Sequence, residues 1–147
     1  MKKSQFAIEY MLLIGIFLIA LIPVIHYSIS TLNTEINSNK AAESVREIGN
    51  AADTVYSMGP GNKKFIQVNF PSGKLAIGQN QILFKLKVYK GTTDIFEKTT
   101  ALLEAGKIGS YTIPSDIENP VQISGGIYNI KIEMKNTSIL IGEEYVP

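Results

Sequence analysis

Twenty-five consecutive residues, Tyr10 to Thr34, carry no Asp, Glu, Lys or Arg. Within them, Met11 to Ile25 is a run of 15 residues without one polar side chain. With Ile8, Tyr10 and the mixed stretch from His26 to Leu32, the span exceeds the ~20 residues that a helix needs to cross hydrocarbon. A helix that is apolar on every side is not satisfied by lying on a soluble domain, which covers one face only. Lys2 and Lys3 precede the run. Positive charge stays on the cytoplasmic side, so the N-terminus is expected to face in and the remainder to face out. A secretory signal peptide ends its apolar run on small residues. Here the run ends on Val24, Ile25, His26 and Tyr27, which are bulky, so it reads as a retained helix.

A plain membrane anchor accounts for the apolar run and the two lysines but has no use for Glu9. A carboxylate costs roughly 2.5–3.5 kcal/mol at the centre of a bilayer and less near its interface, and acidic residues within spans have a specific partner. Lys2, Lys3, Ser4, Gln5, Phe6, Ala7, Ile8, Glu9 and Tyr10, followed by an apolar helix, resemble the leader of archaeal type IV pilin-like proteins with a class III signal peptide. The match lies in the basic leader, Gln5 four residues before Glu9, Tyr10 directly after it, and the long apolar helix. The resemblance implies a membrane peptidase that cuts between Ser4 and Gln5 on the cytoplasmic side, before the apolar run. Gln5 then becomes the new N-terminus and Glu9 the fifth mature residue, with Gln5, Glu9 and Tyr10 serving assembly. The family's usual residue before the cut is Gly or Ala, and Ser4, also small, departs from that pattern.

The chemistry of such a cut can be stated independently. Removing Met1 to Ser4 deletes two lysine charges and creates one α-amino group at the end of an apolar rod. Glu9 of a neighbouring helix can pair with that amine, which would offset the burial of both charges if hydrogen bonds complete the pair. Glu9 would then set the axial register between subunits, as a buried polar group does in a coiled coil.

Past the apolar run the pattern narrows to one stripe. Ile29, Leu32 and Ile36 recur at helical spacing, and after the polar patch Asn37 to Lys40 the series resumes as Ala41, Val45, Ile48, Ala52 and Val55. Glu43, Arg46 and Glu47 fall on the opposite, solvated side, where Glu43 and Arg46 are spaced for a weak pair. Met58-Gly59-Pro60-Gly61-Asn62 stops the helix. From Gln5 to Met58 an unbroken helix is about 80 Å long, more than a small head needs. Pro23 offers no amide to the carbonyl of Ile19 and marks a kink, a place where an assembled fibre could loosen under load. Gly15 is a second flexible point or a place where helices approach closely. His26, the sole histidine, is read as an interfacial or intersubunit hydrogen-bonding group.

Residues 62–147 read as some six short strands. Lys64 to Phe70 alternates and meets a turn at Pro71-Ser72-Gly73. Gln81 to Tyr89 alternates with Lys85 and Lys87 outward, Lys90 to Asp94 is a turn, and Ile95 to Ala101 completes a hairpin. Leu102 to Gly109 is ambiguous, and Ser110 to Pro114 is an edge piece. Gly125-Gly126 leads into Ile127 to Lys135, with Tyr128, Ile130, Ile132 and Met134 on one face. Asn136-Thr137 turns into Ser138 to Gly142. Such a head has little core of its own, and the helix stripe is its natural cover.

The head shows no reaction chemistry. The chain of 147 residues has no Cys and one His, which excludes thiolate metal sites, disulfides and multi-histidine centres. Asp94, Glu97, Glu104, Asp116, Glu118 and the pair Glu143-Glu144 are scattered, and no Gly-rich phosphate loop precedes a helix. No cofactor and no metal are expected, and the chain is not read as an enzyme. Fourteen Lys+Arg against 13 Asp+Glu leave no basic footprint for nucleic acid. Asn136-Thr137-Ser138 fits the acceptor pattern for N-glycosylation, with Asn136 in an outward-facing turn.

The expected fold is α+β: a cleaved basic leader (1–4), a long N-terminal helix (5–58; 5–32 in the membrane or filament core, 33–58 amphipathic), and a small antiparallel β-sandwich-like head (62–147). The resemblance implies a structural subunit of an archaeal adhesion-type pilus. It would be held in the cytoplasmic membrane, processed before Gln5 by a prepilin-type signal peptidase, and packed by the pilus assembly machinery into a helical homopolymer on the cell surface. A minor or tip pilin shares every feature. The rival of another class is a single-pass anchored extracytoplasmic binding domain that never polymerises.

Overall fold

The computed structural model describes the backbone of residues 2–88 and 91–143, with side chains from Ile8 onward in those stretches. The order of elements is one helix, α1 (Lys2–Met58), and ten strands: β1 (Lys63–Phe70), β2 (Gly73–Ile77), β3 (Gln81–Val88), β4 (Gly91–Lys98), β5 (Leu103–Ala105), β6 (Lys107–Ile108), β7 (Tyr111–Thr112), β8 (Val121–Ile123), β9 (Gly126–Met134) and β10 (Ile139–Ile141). The expected α+β class, a long N-terminal helix on antiparallel sheets, is what the structure shows. The chain divides into two compact units between Glu35 and Ile36, inside α1.

The first unit is helix alone. It is continuous through Pro23, whose missing amide leaves one carbonyl of the preceding turn without its usual donor. Ser28, Ser30, Thr31 and Thr34 each donate a hydroxyl to the carbonyl four residues earlier, at 2.9–3.0 Å. These bonds dispose of four polar groups within the helix itself.

In the second unit, the last turns of α1 are amphipathic as the spacing predicts. Ala41, Val45, Ile48, Ala52 and Val55 are fully buried, joined by Ala51 and Ser44, while Glu43, Arg46 and Glu47 stay exposed. Three contacts seat this segment. Ser44 Oγ donates to the Asn69 carbonyl of β1 at 2.9 Å. Asp53 accepts from both the amide and the hydroxyl of Thr100, at 3.0 and 2.8 Å. Gly49 has no side chain because a Cβ there would meet Glu97 Cγ of β4 at 2.7 Å. The helix therefore lies against the outermost strands of both large sheets, β1 and β4. It ends where the sequence says it must: Gly59 and Gly61 take φ of +88° and +85°, and the Asn62 side-chain Nδ2 donates to the Met58 carbonyl at 2.8 Å.

One sheet has the order β1-β9-β10-β5 and the other β4-β3-β2-β8; β6 and β7 form a separate pair. Pairing is antiparallel except between β10 and β5, which run parallel. Ile66, Val68 and Phe70 of β1, Ile130, Ile132 and Met134 of β9, and Ile82, Phe84 and Leu86 of β3 share one core with the helix stripe. Phe70 and Phe84 stack across it at 5.2 Å.

Several sequence expectations change. Residues 91–94 are not a turn: Gly91 to Asp94 pair with Val88 to Lys85, because the β-branched Thr92 and Thr93 suit a ladder and Asp94 meets Lys85 at 3.7 Å. Tyr89 and Lys90, the remainder of that expected turn and strand end, lie outside the described residues. The expected turn at Pro71-Ser72-Gly73 ends in β2, whose Leu75, Ala76 and Ile77 are all buried, so no alternation announces it. There are ten strands among the described residues rather than six, the additions being mostly two- or three-residue pieces held by non-local partners. Ile29, Leu32 and Ile36, read as one stripe with the later positions, are half exposed. The ambiguous stretch 102–109 holds β5 and β6.

Deleting apolar volume in the shared core should be costly. Ile48→Ala is expected to lower the unfolding free energy of the head by about 2–5 kcal/mol, while Leu18→Ala leaves it unchanged. Gly73→Ala should cost about 1–3 kcal/mol, since its Cβ would overlap the Phe84 ring. Urea titration of the detergent-held full chain, followed by near-ultraviolet tyrosine dichroism, measures all three.

Candidate functional site

The feature with functional weight is the exposed surface of α1 from Ile8 to Ile36. Seventeen large apolar side chains there are at least half exposed, from Met11 at 79% to Ile36 at 50%. They point in all directions, because a helix turn of 3.6 residues distributes an unbroken apolar run around its axis. Full burial of one such side chain is worth about 1.5–3 kcal/mol, so the whole surface represents tens of kcal/mol. That exceeds the roughly 5–15 kcal/mol that holds a domain folded, and a surface of this size is not left in water. The segment is long and apolar enough to cross a membrane. The four back-bonded hydroxyls at 28–34 extend it, by satisfying within the helix groups that lipid or a dry protein core could not.

Glu9 and Tyr10 sit at the start of this surface, both exposed, with Tyr10 at 67%. Among the described residues Glu9 has no basic group within ion-pair reach, whereas Lys85–Asp94 and Lys131–Glu133 pair in the head. The side chains of Lys2, Lys3, Ser4 and Gln5 lie outside the described residues, so the processing positions Ser4 and Gln5 are placed by their helical backbone alone. His26 is exposed on the same rod and its carbonyl accepts from Ser30.

Asn136 is exposed between β9 and β10. Two residues on, Ser138 is buried, and its hydroxyl donates to Glu104 at 2.6 Å. The acceptor asparagine is thus open while the hydroxyl of its motif is occupied. In the head the carboxylates remain separate: among the described residues no three His, Asp or Glu converge as metal ligands. Asp116 closes its own loop, accepting from the Glu118 amide at 2.9 Å and the Asn119 side chain at 2.6 Å, and the Glu118 bond foremost holds its pKa below the usual value. Lys131, by a 2.8 Å contact, similarly holds the Glu133 carboxyl down.

The hydroxyl ladder is what sequence reading missed. Ser28, Ser30, Thr31 and Thr34 look like the polar end of the span, and only the i to i−4 spacing of hydroxyl and carbonyl hints that they stay inside it. Comparison with family models, with curated proteins and with solved structures finds no match to this chain.

The ladder and the apolar surface give a paired expectation. Ser28→Ala with Thr31→Ala should leave membrane association unchanged. Leu18→Lys with Ile19→Lys, each costing about 2.5–3.5 kcal/mol at a span centre, should sharply lower the fraction that survives alkaline carbonate extraction.

Proposed function

We propose that this protein is the structural subunit of a helical surface fibre of the archaeal type IV pilus kind. The observation that carries the reading is the exposed, all-round apolar segment of α1 with Glu9 at its start. A lipid-spanning rod needs only apolarity, whereas a carboxylate placed there calls for a cationic partner. Trimming before Gln5 supplies one, the new α-amino group of a neighbouring subunit. As the rod leaves the membrane, the surface that faced lipid is reburied against identical rods, and one heterologous contact repeated gives an open helical array with the heads outside. Attachment to surfaces is the role such a fibre would serve, and Asn136, exposed in its turn, is the position at which the head would carry a glycan.

The rival, a permanently anchored binding domain, needs no processing and no Glu9. Two measurements separate them. The protein recovered from cells should begin at Gln5 by mass spectrometry, and an intact Met1 or Lys2 start would leave only the anchor. Glu9→Gln should reduce surface fibres by about tenfold or more, the equilibrium factor that 1.4 kcal/mol represents, while unassembled protein accumulates in the membrane. Fibres at the normal yield from that variant would sink the proposal.

A further inference from the structure

The second large sheet turns one face away from the core, and strand register fixes what that face carries. Across one row lie Gln122, Lys74, Lys85 and Asp94, each pair directly opposed. In the next row Lys87 opposes Thr92, with Ser72 preceding β2. Together with Gly125 and Asn37 of α1, these residues line an open groove of about 1120 Å³.

Among the described residues of this groove, three lysines face a single carboxylate. Lys74 and Lys85 are directly opposed, an arrangement of like charge that destabilises a sheet. Asp94 relieves Lys85 alone, at 3.7 Å with both groups about a third exposed. From Asn62 onward the sequence has ten Lys and eight Asp+Glu, so the groove's excess of two charges equals the whole excess of the head. The floor is built for close approach: the Gly125 amide donates to Ser72 Oγ at 2.9 Å, and a Cβ on Gly125 would meet the Ser72 amide nitrogen at 3.1 Å. Ser124, which precedes it, is held by Tyr128, whose hydroxyl donates to its carbonyl at 2.7 Å.

We propose that this groove, lined by Lys74, Lys85, Lys87, Ser72, Thr92 and Gln122, binds an acidic polysaccharide, a sugar chain bearing carboxylate or sulfate groups. The lysines are spread and do not converge. Neighbouring strands are about 4.8 Å apart, and alternate residues of one strand about 6.8 Å. That spacing suits anionic groups repeated along a chain better than one phosphate ion. Between the charges stand hydroxyl and amide groups that match sugar hydroxyls. Among the described residues no aromatic side chain lines the groove to stack on nucleobases, the usual platform for single-stranded nucleic acid. The site is independent of fibre formation and would serve an anchored head equally.

The test uses the purified full chain in detergent, with dextran sulfate and alginate as probes, uncharged dextran as control and duplex DNA as the rival polyanion. Lys74→Ser with Lys87→Ser keeps the Lys85–Asp94 pair and should weaken binding of dextran sulfate and alginate by about tenfold or more. Lys63→Ser with Lys64→Ser removes the same charge elsewhere and should change it less than about twofold. The thermal midpoint of the groove variant should hold or rise, since a like-charge pair is gone; a fall would mean that the lysines serve the fold, which overturns the proposal. Equal losses in the two variants, equal retention of uncharged dextran, or duplex DNA bound as tightly as the acidic sugars would each overturn it as well.

Discussion

One hydrogen-bonded helix meets two incompatible demands, and the rest of the molecule is arranged around that. Near its start α1 is apolar on every side; past Lys40 it is apolar on one stripe only. The backbone hydrogen bonds are indifferent to the change, because each is closed within the helix whatever the side chains do. The side chains therefore decide the surroundings. An all-round apolar rod must be enclosed by lipid or by other rods, whereas a single stripe asks for one wall, which the two sheets provide.

The head leans on that stripe. Two four-stranded sheets in about 85 residues enclose little volume by themselves. With Val45, Ile48, Ala52 and Val55 inserted, the core includes large residues from the helix, from β1 and β9, and from β2 and β3. Small residues on the helix set how near the sheets come. Gly49 admits the Glu97 side chain, while Ser44 and Asp53 tie the helix to the Asn69 carbonyl and the Thr100 amide at the sheet margins. The inward faces are thus committed to packing, and the outward face of β2, β3 and β4 is free to carry charge.

The polar groups of the rod deserve the same reading as its apolar ones. Serine and threonine hydroxyls bonded back to the preceding turn cost the helix little and make it acceptable to a dry environment. Glu9 has no such recourse to the backbone, because a carboxylate only accepts and the amides around it are already bonded within the helix. A satisfied hydroxyl is a passive passenger; a carboxylate within an apolar span asks for a partner. That difference separates the part of the rod that is merely compatible with burial from the part that would direct it.

What was legible in the sequence is local. The apolar run, the narrowing to a stripe at Ala41, the stop at Gly59 to Gly61 and the face of β9 all depend on residues within a few positions of each other, and helical and strand periods report them directly. The short strands were not legible. β2 is buried from Leu75 to Ile77 and shows no alternation there, β5 is three residues held by a parallel partner far along the chain, and Gly91 to Asp94 look like a turn until Lys85 stands opposite. The groove was hidden for the same reason: Lys74, Lys85 and Lys87 are unremarkable surface lysines in the sequence, and Gln122 is distant from all of them. Sequence by itself thus determined which surfaces need covering, since hydrophobicity and charge are carried residue by residue. Which residues come to share a face was decided by tertiary structure alone, because strand register joins positions that no local interaction connects.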